Sequence, residues 1–206
     1  MLRDGRTIDD GGVLETDVCI IGTGPAGLTV AGEFLGSGRE VMLLETGGEE
    51  PDPAIQALAE GEVVGDPLLD TSTIRHRRIG GNANAWVIKM ADGRVGVRHA
   101  ALEAHDFERR DWIDGSGWPI SYEDLLPYYD RANATCGCGP YAYDAETWSR
   151  PGAEPWAVDP SIVRSRVFQF GPCAAFTQVL RSRIEAERTM TLVHHATAVG
   201  LDLNES

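Results

Sequence analysis

Six consecutive residues near the amino end have the types and spacing needed to bind phosphate groups. They form the pattern GxGxxG, and they are Gly22, Thr23, Gly24, Pro25, Ala26 and Gly27. In this pattern the first glycine permits a tight turn, the second lets a pyrophosphate approach the backbone, and the third lets a helix pack closely on a sheet. The free N–H groups and partial positive charge of a helix N-terminus attract phosphate. The six residues therefore predict a dinucleotide-binding turn.

The flanking residues predict the β-α-β unit that such a turn requires. Residues 18–21 form an apolar run without helical spacing, which predicts a strand buried on both faces. Apolar residues then recur at helical spacing until the Gly-Ser-Gly sequence at 36–38, which predicts a helix that ends there. Residues 41–44 form a second apolar strand, and it ends on an acid, Glu45.

The acid completes the pattern of a dinucleotide-binding unit. Glu45 follows the glycines at about the expected distance of roughly 20 residues. Its carboxylate can accept hydrogen bonds from a ribose 2′-hydroxyl and would repel a 2′-phosphate, and Thr46 continues the strand tip. A glycine-rich turn in another kind of α/β domain is the alternative, and the strand, helix and acid together argue against it. These residues alone leave open whether the dinucleotide is NAD or FAD.

Composition and charge narrow the classes of partner. The chain has 206 residues, and its formal net charge of −14 disfavours binding to nucleic acid or to anionic lipid. No stretch approaches the ~18 consecutive apolar residues of a transmembrane helix, so we expect no membrane span. The first residues lack the apolar core of a signal peptide, and a cytoplasmic location is expected.

The four cysteines do not predict a metal site. Cys19 lies inside the first predicted strand, where we expect a small buried side chain. Cys136 and Cys138 are separated by one residue, and no matching pair follows them as a zinc site would require. Two free thiols are favoured there over a labile disulfide.

Several longer motifs follow the dinucleotide-binding turn. They are RHRRIGGNANAW at 75–86, DFERR at 106–110, GSGWPIS at 115–121, LLPYY at 125–129 and FQFGP at 168–172. With the turn, this series resembles the glucose-methanol-choline (GMC) family of FAD-dependent oxidoreductases. It is most similar to the branch that contains sugar and sugar-acid dehydrogenases and pyranose oxidases. The resemblance runs from about Asp17 to about Leu203.

The resemblance implies an α/β fold, with a Rossmann-like FAD-binding domain around a central parallel sheet and the beginning of an α+β substrate-side domain. We expect a polar tail over 1–15, the first part of the FAD-binding domain over 16–99, a substrate-side segment over 100–170, and a return to the FAD-binding domain over 171–206. Family members are much longer, so we expect this chain to be an amino-terminal portion.

The resemblance also implies cofactor contacts outside the turn. The loop at 75–86 is expected to lie along the flavin and the pyrophosphate, and Ala198 against the adenine. The expected contacts in the loop are Arg78, Gly80, Gly81, Asn82, Asn84 and Trp86. Some relatives carry a histidine directly before the matching tryptophan, and in some of them it is the point of covalent flavin attachment, whereas this chain has Ala85. We therefore expect non-covalent FAD.

The activity that the resemblance implies is oxidation of the CH–OH group of a sugar, sugar acid or alcohol, with hydride transfer to flavin N5. The family's base is a histidine of a His-His or His-Asn pair near the carboxyl end. No residue here matches that pair, so no catalytic residue is predicted and the base is expected beyond residue 206. His194 and His195 lie in a predicted strand away from the flavin, where a structural role is expected. The electron acceptor is left open.

Two alternatives to this function remain open. The chain could be a nucleotide-binding fragment with no activity of its own, or an NAD-dependent Rossmann reductase, against which the loop at 80–86 argues. In the substrate-side segment, most of the aromatic residues between 112 and 129 are expected to pack in a core. For Arg109, Arg110 and Trp112 a border to a sugar-like substrate is the less favoured alternative. Ser121 is expected to cap a helix that reaches about Ala134, and a strand is expected at 199–203.

Overall fold

The computed structural model describes residues 1–67, 69–159 and 161–203, and these form two compact units. The first unit comprises residues 1–87 and the described chain from Cys173 onward, and the second comprises residues 88–172. The sequence assigned 16–99 and 171–206 to cofactor binding and 100–170 to the substrate side. That assignment of roles stays a prediction.

The regular elements are short. The strands are β1 (Leu2–Asp4), β2 (Val18–Ile21), β3 (Val41–Leu44), β4 (Ile88–Lys89), β5 (Val95–His99), β6 (Gln169–Gly171) and β7 (Met190–His194). The α-helices are α1 (Pro25–Glu33), α2 (Pro53–Ala57), α3 (Thr71–Ile74), α4 (Ala104–Phe107), α5 (Tyr122–Thr135) and α6 (Arg181–Ala186). A 3₁₀ turn at Gly81–Asn84 and a π-helical segment at Ala175–Leu180, which runs into α6, matter for the site.

A parallel four-stranded sheet with the order β1-β7-β3-β2 forms the centre of the first unit. Val41 pairs with Val18 on one side and with Met190 on the other, so the tips of β2, β3 and β7 end at the same edge. The predicted β-α-β unit and the parallel sheet of an α/β fold are therefore confirmed. The loops that follow parallel strands lie at the carboxyl ends of those strands. The glycine turn after β2 and Glu45 after β3 therefore lie at the same edge of the sheet.

Apolar side chains between this sheet and its helices form the core of the first unit. Leu28 and Ala31 of α1 and Leu43 and Met190 of the sheet are each 0% exposed. Ile184 of α6 is 1% exposed, which shows that α6 covers the sheet together with α1. Burying one such side chain stabilises the fold by about 1.5–3 kcal/mol, so the core holds the strand tips in fixed positions.

The first strand of the β-α-β unit is less buried than its sequence predicted. Cys19 is exposed and Ile21 is 55% exposed, so burial on both faces and a buried Cys19 were both wrong. Within the described residues β2 is an edge strand, which pairs with β3 alone. An apolar run of four residues shows that both faces of a strand could be buried. It does not show which face the rest of this chain covers.

The amino-terminal segment, expected to be a polar tail, is partly built into the sheet. Leu2, Arg3 and Asp4 pair in parallel with Leu192, Val193 and His194, and the Leu192 N–H donates to the Met1 carbonyl at 2.8 Å. The loose-tail prediction is therefore wrong for these three residues. An edge strand is held by backbone hydrogen bonds, which a polar sequence does not reveal.

The strand predicted at 199–203 is also wrong. The described residues 197–203 form no strand and are exposed, with Val199 at 96%. β7 ends at His194, and the next residue, His195, has a φ of 52° in the left-handed region. This backbone conformation ends the extended chain, so the apolar residues beyond it do not continue the sheet.

The second unit combines a three-stranded antiparallel sheet, β4-β5-β6, with α5. The predicted cap of α5 is confirmed, because the Ser121 side chain accepts from the Asp124 N–H and the Asp124 side chain accepts from the Ser121 N–H. The rings of Tyr122 and Tyr129 on α5 lie 6.0 Å apart, and the Tyr129 ring stacks at 4.7 Å on Tyr141, which follows the helix. Among the described residues, no helix is both long and apolar enough to cross a membrane.

The prediction that the aromatic residues of this unit lie in a core is wrong for three of them. Trp112 is 81% exposed, Trp118 is 57% exposed and Tyr128 is 58% exposed. Phe107 takes the buried position, with ring contacts to Trp118 at 5.8 Å and Tyr122 at 5.9 Å. The segment around Trp112 consists of turns, so it lacks the helical or strand face that would direct a side chain inward.

Candidate dinucleotide-binding site

The turn between β2 and α1 has the geometry that its glycines predict. Gly22 has a φ of 97°, which permits the sharp exit from β2. A Cβ placed on Gly27 would lie 2.0 Å from the Gly22 carbonyl oxygen, so only a glycine allows α1 to pack this closely on the turn. α1 begins at Pro25, and Gly24 stands as its N-cap residue.

Gly24 marks an open cradle at the start of α1. No atom of the described chain lies within 4 Å of the position that a Cβ of Gly24 would occupy. Among the described residues no side chain caps this helix end. The first N–H groups of a helix carry partial positive charge and need acceptors, so the open space fits a phosphate group. Pro25 and Ala26 lie at this helix end, half-buried and exposed respectively.

Glu45 connects the tip of β3 to this turn. Its side chain is 7% exposed, and Oε2 accepts from the Thr23 N–H at 3.0 Å and from the Thr23 hydroxyl at 2.7 Å. Oε1 accepts from the Gly47 N–H at 3.1 Å, and Thr46 between them is half-buried. The predicted ribose-binding acid therefore lies at the site, and it also holds two loops together.

The glycines after Glu45 bring the predicted flavin loop to the same place. A Cβ on Gly47 would lie 2.1 Å from the Arg77 carbonyl oxygen, so the two backbones are in direct contact. The Ile79 N–H donates to the Gly48 carbonyl at 3.0 Å. Sequence reasoning missed this role of Gly47 and Gly48, although a glycine pair directly after the acidic strand tip was the signal available.

The loop then reaches the dinucleotide-binding turn itself. The Gly80 N–H donates to the Thr23 hydroxyl at 3.4 Å, and Thr23 is fully buried. A Cβ on Gly81 would lie 3.0 Å from the Gly24 Cα. Gly80 and Gly81 have φ values of 88° and 51°, which glycine adopts readily. The turn, the strand tip and the loop thus converge around Thr23.

Two asparagines fix the shape of this loop from within. The Asn82 side chain accepts from the His76 N–H at 2.8 Å and donates to the Ile74 carbonyl at 2.8 Å. The Asn84 amide nitrogen donates to the carbonyls of Ile79 and Gly81, both at 2.9 Å. These side chains therefore hold the loop, and their predicted proximity to the flavin ring stays a prediction.

Arg78 provides a cation with an unused donor. Its terminal nitrogen donates to the Glu49 carbonyl, and its buried Nε has no hydrogen-bond partner among the described residues. Buried guanidinium groups normally use their donors, so an anionic ligand at this loop would complete its contacts. Nearby, the Arg181 guanidinium hydrogen-bonds Glu49 and holds the pKa of that carboxyl below its ordinary value.

Two further predicted contact residues are exposed. Trp86, at the end of the loop, is 44% exposed, and Ala85 before it is also exposed. Ala198 lies beyond the end of β7 and is exposed. Their predicted contacts with the flavin and the adenine stay predictions.

The second unit contains a separate cavity of about 680 Å³. Its aromatic lining is Trp148, Trp156, Phe168 and Phe170, and Arg94 and Arg150 supply positive charge. The less favoured substrate residues Arg109, Arg110 and Trp112 are not among its described lining residues. Glu154 also lines the cavity, so this unit offers an aromatic surface with charges of both signs, which the sequence did not indicate.

The first unit has a Rossmann-type α/β fold, with a parallel sheet and a glycine turn between β2 and α1. Among known proteins, no family model matches the chain. A 2-methyl-1,2-propanediol dehydrogenase of Mycolicibacterium austroafricanum is 29% identical over 166 residues, which is 68% of this chain and 28% of the relative. The chain thus spans about a quarter of the length of the curated relative that it matches.

A solved structure is also similar, at lower identity. The crystal structure of pyridoxine 4-oxidase from Mesorbium loti matches with a TM-score of 0.41 and 16% sequence identity, over 88% of this chain and 42% of that one. The motifs of the chain and its dehydrogenase relative are similar to those of the glucose-methanol-choline (GMC) family of oxidoreductases. Members of this family bind FAD.

Proposed function

We propose that the first unit binds FAD non-covalently and is the FAD-binding part of an oxidoreductase acting on CH–OH groups. The observation that carries the proposal is the convergence around Thr23. The dinucleotide-binding turn, the tip of β3 and the loop at 75–86 meet there, beside an open helix N-terminus. Three segments distant in sequence thus meet at the carboxyl edge of a parallel sheet, which is where such sheets bind nucleotides.

Each part of this site has a role in holding the cofactor. The N-terminus of α1 and the bare backbone of Gly24 would receive the pyrophosphate, since both offer donors without a blocking side chain. Glu45 would accept from the adenosine ribose, because Oε1 and Oε2 have further lone pairs beside the bonds to Thr23 and Gly47. Arg78 would direct its free Nε–H toward negative charge.

A flavin is favoured over a nicotinamide by the loop at 75–86. This loop carries the motif that resembles flavin-dependent relatives, and it packs on the turn through Gly80 and Gly81. The dehydrogenase relative supports a redox function, and its printed substrate is a small diol. We infer an alcohol, sugar or sugar acid as the substrate class, and the electron acceptor is left open.

Bound FAD would supply the hydride acceptor, N5 of its flavin ring. The described residues bind and orient the cofactor through the contacts above. None of them matches the family's histidine base, so no proton transfer is assigned to a residue of this chain. The proposed role of the site around Thr23 is therefore to bind the cofactor.

The decisive experiment is titration of the purified chain with FAD, followed by flavin fluorescence, in wild type and in Gly24→Ala. Gly24 has a φ of −68°, and its Cβ would meet no described atom within 4 Å, so the variant should fold normally. The added methyl group enters the cradle proposed for the pyrophosphate. We expect FAD affinity to fall by about tenfold or more, which corresponds to at least ~1.4 kcal/mol.

Gly200→Ala is the matched control, because a Cβ there also meets no described atom within 4 Å and the residue is exposed. Its FAD affinity should equal that of wild type. Wild-type chain that binds NAD and not FAD would favour the reductase alternative. Wild-type chain that binds neither cofactor, while retaining its circular dichroism spectrum, would refute the proposal.

A further inference from the structure

We propose that Asp4, His194 and His195 form a binding site for a divalent transition-metal ion, with Zn²⁺ as the defining probe. Each residue offers one ligand atom, and these three atoms lie within 4.8 Å of one another. The sequence contains no recognisable metal motif here, because Asp4 is 190 positions away from His194 and only the fold brings them together.

The sheet register places the carboxylate beside the histidines. Asp4 at the end of β1 is the parallel partner of His194 at the end of β7. Both residues are therefore the last of their strands, and they lie side by side at the same edge of the sheet. Asp4, His194 and His195 are each half-buried.

The backbone of His195 brings the second imidazole to the same side. Neighbouring residues of a strand point to opposite faces, which would separate the two rings. His195 has a φ of 52°, and it is the one described non-glycine residue with a positive φ. With this conformation the ring centroids of His194 and His195 lie 4.9 Å apart at 63°. Such conformations cost about 1–3 kcal/mol and concentrate at functional sites.

A ring nitrogen without a hydrogen-bond partner is further evidence for a metal-binding site. His194 Nδ1 is buried and has no hydrogen-bond partner among the described residues. Most buried polar atoms are paired, so each exception requires a physical reason. A neutral imidazole nitrogen that lacks a donor is a ready ligand for a transition metal.

Arg6 competes for the carboxylate in the absence of metal. Its Nε donates to both Asp4 oxygens, at 3.0 and 3.2 Å, and its terminal nitrogen donates to Oδ2 at 2.6 Å. The side chain of Arg6 is 68% exposed, and exposed ion pairs of this kind stabilise a protein little. Rotation of Arg6 into solvent frees lone pairs of Asp4 for a metal ion.

The donor set suits Zn²⁺, which takes imidazole nitrogen and carboxylate oxygen in tetrahedral geometry. Three protein ligands leave the fourth position for water or another ligand. The ion would connect β1 to β7 and fix the His195 ring, which packs on Gly48, since a Cβ there would lie 2.6 Å from Nε2. The proposed site therefore borders the loop that carries Glu45, and it does not depend on the proposed FAD binding.

The test is Zn²⁺ binding to the metal-free, FAD-free chain by equilibrium dialysis, with His195→Gly as the main variant. Glycine accepts a φ of 52° readily, so this variant removes a ligand and keeps the backbone. We expect one tightly bound ion per wild-type chain. The affinity should fall more than ~100-fold in the variant, beyond the 10–100-fold typical of changes around a metal site's outer partners.

His105→Ala is the matched control, because His105 is also near two carboxylates, Glu103 at 3.7 Å and Asp106 at 3.6 Å. It should bind Zn²⁺ as wild type does. Co²⁺ should give the visible absorption of a tetrahedral site in wild type and in His105→Ala, and should lose it in His195→Gly and His194→Gln. Zn²⁺ binding that is absent in wild type, or that persists in His195→Gly and His194→Gln, would overturn the proposal.

Discussion

The Glu45 carboxylate receives two hydrogen bonds from Thr23, one from the backbone N–H at 3.0 Å and one from the hydroxyl at 2.7 Å. The pair is buried, with Thr23 at 0% and Glu45 at 7% exposure. It links the second position of the glycine turn to the acid at the end of β3. The Thr23 hydroxyl also accepts from the Gly80 N–H, so one side chain joins all three segments of the proposed site.

Replacement of the Thr23 hydroxyl should weaken the fold. Thr23→Val keeps the shape of the side chain, and it leaves Glu45 Oε2 with the backbone donor alone. Loss of a hydrogen bond to a charged group should lower the free energy of unfolding by about 1.5–3 kcal/mol, measured by urea denaturation. Thr29→Val is the matched control, because the Thr29 hydroxyl donates only to a carbonyl within its own helix at 2.7 Å. Equal stability of the two variants would contradict this role of Thr23.

Removal of the Glu45 carboxylate should weaken cofactor binding. Glu45→Ala should lower FAD affinity by about 1–3 kcal/mol, because the ribose loses a charged acceptor and the Thr23 and Gly47 donors lose theirs. Fluorescence titration with FAD measures this change. Glu15→Ala removes the same charge from an exposed position in the same unit and should leave the affinity unchanged. An unaltered affinity in Glu45→Ala would show that another residue binds the ribose.

The sequence predicted the local parts of this site well, because the physics that fixes them is local. Gly22 must turn, Gly27 must admit the helix, and Glu45 must end a strand, and each requirement restricts the residue type at one position. The contact between Gly47 and Arg77 forms between two loops that are distant in sequence, so the residue type at one position could not predict it. Only the folded chain brings these two loops together.

The sequence was less informative about burial, because the burial of a side chain depends on which distant segments of the chain cover it. Cys19 and Trp112 are apolar enough for a core, yet both are exposed, because burial needs a partner surface as well as an apolar side chain. Conversely, the strand at Leu2–Asp4 is polar at its end and is held by backbone pairing with β7. The juxtaposition of Asp4 with His194 follows from that pairing.

Bound FAD should be released completely when the protein is denatured. The residue before Trp86 is Ala85, whose methyl side chain cannot form a bond to the flavin. Acid precipitation of the FAD-loaded chain should leave all yellow colour in the supernatant, and the intact mass of the pellet should equal that of the chain alone. Colour in the pellet, together with a mass increase of one FAD, would identify a covalent attachment elsewhere.

Cys136 and Cys19 should differ strongly in reactivity toward thiol reagents. Burial raises the pKa of the Cys136 thiol from 9.0 to about 11, and the neighbouring thiol of Cys138 adds to the shift. Two pKa units mean a ~100-fold smaller thiolate fraction near pH 8, and the thiolate is the reactive form. Cys19 is exposed on β2, so iodoacetamide reaches it freely. Peptide mapping by mass spectrometry should show Cys19 alkylated first and Cys136 much later.

The raised pKa of Cys136 also predicts that the protein becomes less stable as the pH rises. The folded state favours the neutral Cys136 thiol, so its stabilising contribution is complete below about pH 9 and is lost as the pH rises through about 11. Cys136→Ala should therefore show a smaller fall in urea midpoint between pH 8 and pH 11 than wild type. Cys19→Ala is the control and should follow wild type. Early alkylation of Cys136, or identical pH profiles in Cys136→Ala and wild type, would contradict a raised thiol pKa at this half-buried position.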